Sequence, residues 1–132
     1  GNMLSRWTDF RTSDGEKEWR NRDSEFESPE WNRELLMTAW NKGWDCLESA
    51  ISPIQDEELH EIVYIRNEGH SILEAIHRQL AHYAYHVGQI VYLSRMYAGS
   101  WQSLSIPKNQ SQSYNSEKFN QENEQRHFTD RV

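Results

Sequence analysis

The sequence predicts an all-α fold, because three long stretches place apolar side chains at the three- and four-residue spacing of amphipathic helices. These stretches are residues 2–11, 29–51 and 71–97. The segments that separate them are polar and carry turn signals, so we expect loops there. A chain of 132 residues is long enough to form one domain with a hydrophobic core.

The first two helices are indicated by their apolar faces and by their ends. In the first, a polar stripe of Asn2, Arg6 and Asp9 lies opposite the apolar side chains. The second is expected to begin at residues 28–30, which supply a capping hydroxyl, a proline and an acid, and to end before Pro53. Its apolar stripe comprises Leu36, Trp40, Trp44, Leu47 and Ile51.

The region between the second and third helices gives a mixed signal. Residues 61–66 have a β-branched, nearly alternating pattern, which predicts either a short strand or an extended connector. Residues 67–69 are expected to turn the chain. The third long helix is expected from Ser71 to Tyr97, where Ala98 and Gly99 end it.

Two parts of different character are expected along the chain. Residues 1–106 form the helical bundle, and residues 107–132 form a polar tail rich in Asn, Gln, Ser and Glu. The tail shows neither a helical nor a strand period, so we expect it to pack on the bundle or to be partly disordered. A regulatory module that binds a partner through this tail is a weaker hypothesis.

Composition and charge exclude several classes of protein. The net charge of −7 argues against nucleic acid as the main partner, because phosphate binding needs a basic surface. No apolar run reaches the roughly 18 residues of a spanning helix, so no membrane segment is expected. The single cysteine, Cys46, cannot form an internal disulfide, which is typical of a cytoplasmic protein.

The candidate functional residues lie in residues 79–94, a stretch without a formal charge in a chain that is 27% charged. Such a helix is expected to be packed on most sides, and its two histidines, His82 and His86, to be at least partly buried. Their spacing places both rings on one side of the helix, where they can chelate a divalent ion. Taken alone, the pair predicts metal ligation and a hydrogen-bonded structural pair about equally, and exposed or incidental histidines are the remaining alternative.

Three strings in this chain resemble one family. They are RWTDFRTSDGEKEWRNRDSEF at residues 6–26, RQLAHYAYHVGQIVYLSRM at 78–96 and WQSLSIPKNQS at 101–111. Together they resemble a DinB-like subfamily of largely unknown function. The resemblance implies an up-down-down-up four-helix bundle, here truncated to about three helices plus a long irregular tail, and a homodimer. It also implies a three-histidine site for zinc or nickel and, in some members, thiol S-transfer.

By this resemblance, His82 and His86 match two of the three metal ligands. The third would lie in a segment that resembles the stretch just before Gly1, so it is expected to be absent from this chain. Candidate groups around the metal are Gln79, Gln89, Tyr85, Asn2 and Arg6.

The resemblance leaves the activity open. The first hypothesis is a metal-dependent thiol S-transferase or hydrolase that acts on a low-molecular-weight thiol, with no catalytic residue assigned. The alternative is a non-catalytic dimeric bundle with structural histidines and no metal.

Overall fold

The computed structural model describes residues 1–27 and 32–122, and it is mainly helical. Four α-helices and one hairpin make up its regular structure, with short 3-10 turns at Asp23–Phe26 and Asp56–His60. The helices are α1 (Asn2–Trp7), α2 (Arg33–Ile51), α3 (Ile72–Tyr97) and α4 (Ser111–Phe119), and the strands are β1 (Ile62–Ile65) and β2 (Glu68–Ser71). The chain divides into two compact units, Gly1–His86 and Val87–Val132. None of the helices within the described residues is long and apolar enough to cross a membrane.

Helix α2 ends at Ile51, as predicted, and its first described turn is capped by Asn32. The Asn32 Oδ1 atom accepts a hydrogen bond of 2.8 Å from the Leu35 backbone N–H, which satisfies one of the free amides of the first turn. The predicted start at residues 28–30 lies outside the described residues. The predicted apolar stripe is buried at one end only. Leu47 is 9% exposed, whereas Leu36 is 54% exposed.

The segment after α2 forms a β-hairpin, which decides between the two predicted alternatives. Ile62 pairs with Ser71 and Ile65 with Glu68 in an antiparallel ladder. The turn is therefore Arg66-Asn67 rather than residues 67–69. Both turn residues have positive φ, 55° and 61°, as a type I′ turn requires.

The loop after α1 is hydrogen-bonded to this hairpin. The Asp14 carboxylate accepts hydrogen bonds from the backbone N–H groups of Arg66 at 2.8 Å and Asn67 at 2.7 Å. The Gly15 N–H donates to the Tyr64 carbonyl at 2.8 Å. Helix α1 ends at Trp7, earlier than the pattern over residues 2–11 predicts.

The hydrophobic core of the first unit lies where the ends of α1, α2 and α3 meet the hairpin. Its buried members are Trp7, Phe10, Leu47, Val63, Ile65, Ile72 and Ala75. Since α3 enters this core by its first turns, the rest of the helix is mostly exposed. Within residues 79–94 only Gln79 is buried, with Tyr83 and Val91 half-buried. The predicted burial of His82 and His86 is therefore wrong.

The second unit contains the rest of α3 and helix α4. Because α4 falls in the segment predicted to be an irregular tail, that prediction is wrong for Ser111–Phe119. The helix has no side-chain cap, no buried residue and little amphipathic character, so the spacing of its apolar residues gave no signal. Elsewhere in this unit the Arg95 guanidinium lies 6.0 Å from the centre of the Trp101 ring.

Candidate functional site

An open cleft of about 950 Å³ in the first unit is the candidate functional site. Four segments build its wall: α1, the loop that leads into the first 3-10 turn, the hairpin and the first half of α3. The lining residues are Asn2, Arg6, Arg20, Arg22, Glu25, Phe26, Ile65, Arg66, Ala75, Arg78, Gln79, His82, Tyr85 and His86. The size suits a small metabolite, because ligand clefts of roughly 300–1,000 Å³ hold molecules of that class.

The two histidines stand side by side on the wall that α3 provides. Their ring centroids are 4.5 Å apart, and the rings meet edge to face at 90°. The Tyr85 ring packs against His86 with centroids 5.2 Å apart, and the Tyr83 ring lies 6.1 Å from that of His82. The spacing of four residues thus brings both imidazoles to the same cleft, as the helix period predicts.

The surroundings of His82 favour its neutral form. Desolvation by neighbouring atoms is the largest effect that lowers the pKa of His82, although the side chain lies at the exposed rim of the cleft. The charges of His86, Arg6, Arg20 and Arg78 lower it further. A neutral imidazole offers a lone pair to a metal or to a proton donor.

Four of the five residues predicted to surround the histidines also line the cleft. Asn2, Arg6, Gln79 and Tyr85 are among its wall residues, and Gln89 belongs to the second unit. The buried Gln79 side chain donates from Nε2 to Asn2 Oδ1 at 3.3 Å, so it ties α3 to α1.

Tyr83 belongs to the core rather than to the site. Its ring packs on Trp44 with centroids 5.5 Å apart. Burial raises the pKa of Tyr83 to about 12, and the Trp7 indole opposes this only in part. A phenol with such a pKa stays protonated at neutral pH, so Tyr83 is unsuited to act as a base.

Sequence reasoning missed the arginines that line the cleft beside Arg6. They come from three separate segments, with Arg20 and Arg22 in the loop, Arg66 in the hairpin turn and Arg78 on α3. Only Arg78 had a signal in the sequence, since it lies one turn before His82 and therefore on the same face. The loop arginines reach the cleft through tertiary folding, which spacing along the chain does not reveal.

The histidine pair fits a divalent metal as part of a ligand set. Imidazole nitrogen is a common ligand of zinc and nickel, and the lowered pKa of His82 keeps that ring deprotonated at neutral pH. Among residues 1–27 and 32–122, however, no three His, Cys, Asp or Glu side chains converge on one point. The described residues therefore offer two potential ligands, which is fewer than a stable metal site needs.

A comparison with known protein families identifies a family to which this chain is similar. The model of a family described as "Protein of unknown function (DUF1572)" matches residues 1–110, which include every described residue of the cleft and its supporting core. Comparisons with curated proteins and with solved structures found no match. Because the family model covers most of the chain, the protein belongs to the DUF1572 family of unknown function.

Proposed function

We propose that the protein is a DinB-like metal-dependent enzyme whose site is the cleft of the first unit. His82 and His86 would hold a divalent ion, zinc or nickel, and the reaction would be thiol S-transfer or hydrolysis with a low-molecular-weight thiol as substrate. The observation that carries this proposal is the side-by-side placement of the two imidazoles, 4.5 Å apart, on the wall of a metabolite-sized cleft. The strings that resemble the DinB-like subfamily support it.

The residues of this chain would bind and orient the reacting groups. A bound metal lowers the pKa of a coordinated thiol or water and so creates a nucleophile at neutral pH. Tyr85, which packs on His86, would fix the orientation of that ring. The hydrogen bond between Gln79 and Asn2 would keep the two helical walls at a constant separation. The remaining ligand would come from outside the described residues.

Metal analysis of untagged protein tests this proposal. After incubation with zinc or nickel and exhaustive dialysis, we expect one bound ion per chain by plasma mass spectrometry. His82→Ala and His86→Ala should each lower the retained metal at least tenfold, because each removes one ligand. His77→Ala is the matched control, since His77 is exposed on the same helix and does not line the cleft. Equal metal retention by all four proteins would refute the ligand assignment.

A second candidate function is a non-catalytic dimeric domain with structural histidines. The edge-to-face contact between the His82 and His86 rings favours it, because such a pair is stabilised without a metal. The exposed apolar face of α2 favours dimerisation in either case. Leu36 is 54% exposed and Trp40 46% exposed, and Leu35 and Met37 are exposed beside them. We propose a homodimer through this face, and a cytoplasmic location consistent with the free Cys46.

Light scattering after size exclusion tests the dimer. We expect a mass of twice 15.8 kDa at micromolar concentration. Leu36→Glu should weaken association at least tenfold, because it places a charge in the apolar contact. Lys42→Glu, at an exposed position of the same helix, is the control for charge and should leave the dimer intact. A wild-type protein that remains monomeric at 100 µM or so would exclude this interface, given the affinity of ordinary dimers.

A further inference from the structure

The cleft concentrates positive charge in a protein that is negative as a whole. Five arginines line it, with Glu25 as the only carboxylate among the described lining residues, whereas the chain carries a net charge of −7. Such a concentration inside a concave surface raises the local concentration of anions. Which of the five is available to a ligand depends on the partners that each has within the protein.

Two of the arginines are held by internal ion pairs, and a third, Arg22, lies over the Phe26 ring, 5.1 Å from its centre. The Arg20 guanidinium donates from Nε and Nη2 to the two oxygens of Glu25, at 2.9 and 3.0 Å, and from Nη1 to Glu16 at 3.2 Å. Arg66 Nη2 reaches the other oxygen of Glu16 at 3.3 Å. These ion pairs connect the loop to the hairpin turn, so Arg20 and Arg66 stabilise the wall of the cleft.

Arg6 and Arg78 differ from them in having no carboxylate partner within the described part of the chain. The Nε and Nη1 atoms of Arg6 are buried, and no described residue provides them with a hydrogen-bond acceptor. Burial lowers the pKa of Arg6, the nearby charge of Arg78 lowers it further, and the charge of Glu16 opposes these effects only in part. Two like charges, one of them partly desolvated, are therefore held close together at a cost in stability that an anion would offset.

Among residues 1–27 and 32–122, the hydrogen bond that Arg78 makes with His70 also leaves its charge uncompensated. Its Nη1 atom lies 3.2 Å from His70 Nε2, and His70 Nδ1 lies 2.9 Å from the Glu68 carbonyl oxygen. The carbonyl can only accept, so Nδ1 carries the proton and Nε2 accepts from Arg78. A neutral His70 orients the guanidinium without neutralising it, which leaves the other donors of Arg78 for a ligand.

We propose that Arg6 and Arg78 form a binding site for a dianionic oxyanion group of a small molecule, a phosphate monoester or a dicarboxylate. Guanidinium groups match both chemistries, since their parallel N–H donors fit the oxygens of either group. The volume of the cleft leaves room for the organic part of such a ligand beside the anion. The site requires no metal, so it stands independently of the metal site proposed above, and failure of one proposal would not decide the other.

Calorimetric titration of the full chain with inorganic phosphate tests this site. The protein is first treated with a chelator, so that the result does not depend on metal, and ionic strength is held constant with sodium chloride. We expect saturable binding of one phosphate at pH 7. Arg78→Gln and Arg6→Gln should each weaken it at least tenfold, and Arg78→Lys should be intermediate because it keeps the charge but loses the fork. Far-ultraviolet circular dichroism establishes that each variant is folded.

The matched control is Arg33→Gln, which makes the same charge change at an exposed position of α2. Phosphate affinity should be unchanged in this variant. Malonate is titrated in parallel: tighter phosphate binding identifies a phosphate ligand, and tighter malonate binding identifies a dicarboxylate. Absence of saturable binding of both anions to the wild type overturns the proposal. So does an equal loss of affinity in Arg33→Gln and Arg78→Gln, which would indicate attraction to net charge alone.

Discussion

His82 is the residue that connects the proposed metal site with the proposed anion site. Its ring lies 4.5 Å from that of His86, and desolvation, the charge of His86 and the charges of nearby arginines all lower its pKa. A protonated His82 would add a further positive charge to a cationic wall, whereas a neutral one can act as a ligand. The arginines that we propose to bind an anion would thus also keep this ring available to the proposed metal.

The titration of His82 gives a prediction at this scale. We expect its NMR midpoint below the ordinary value of 6.5. His86→Gln should raise the midpoint more than Arg78→Gln, because the effect of His86 on the pKa is the larger of the two. Arg33→Gln, far along the chain on α2, should not move it.

The effect of His82 on stability follows from the same shift. The folded state binds the proton less tightly than the unfolded state does, so stability falls as the pH drops below about 6.5 and levels off below the lowered pKa of the folded state. An NMR titration midpoint of His82 at or above 6.5 would contradict the predicted lowering of its pKa by the neighbouring positive charges.

At the scale of elements, the hairpin depends on a residue far from it in sequence. Arg66 and Asn67 both adopt positive φ, which neither favours as glycine would. Asp14 compensates by accepting from both of their backbone N–H groups, and also from the N–H of Glu16 at 2.7 Å. One carboxylate therefore connects the hairpin turn to the loop that contains Arg20.

Removal of this carboxylate should destabilise the protein. Asp14→Ala leaves three backbone donors without their acceptor, and we expect a loss of about 1–3 kcal/mol in the free energy of unfolding at pH 7, measured with urea. Asp45→Ala is the control, because Asp45 is exposed on α2. A loss no greater than that of the control would contradict the role of Asp14.

The same carboxylate sets a pH dependence. Burial acts to raise the pKa of Asp14, but the three backbone donors and Lys17 outweigh it and lower the pKa below 3.8. The stabilisation is therefore present above pH 3.8 or so and is lost as the pH falls through the lowered value. Between pH 5 and pH 2 the wild type should lose more stability than Asp14→Ala.

For the whole molecule, sequence patterns correctly predicted the features that depend on residues close together in the chain. The end of α2 before Pro53 and of α3 before Gly99 follow from residues that stop a helix wherever they occur. The shared face of His82 and His86 follows from the helix period alone. The family resemblance likewise rests on contiguous strings.

Features that depend on distant residues were not predictable in this way. The absence of charge in residues 79–94 indicated burial, but burial depends on what covers a helix, and the core takes only the first turns of α3. The turn at Arg66-Asn67 lacks the glycine that usually marks a type I′ turn, since Asp14 supplies the stabilisation instead. The arginine cleft joins faces of α1 and α3 to loop segments, and those loop segments have no period to reveal which way their side chains point.

The contacts of Asp14 with Arg66 and Asn67, which span 52 and 53 residues, also order the events of folding. Helices and a hairpin can form through contacts between residues that are close in sequence. Closing a loop of that length lowers the conformational entropy of the chain before the contacts that it allows can stabilise it. Arg6 precedes the loop, Arg20 lies within it, and Arg78 and His82 follow it. The cleft is therefore completed only when the two ends of the first unit dock, so that ligand binding, unlike helix content, reports on the last contacts to form.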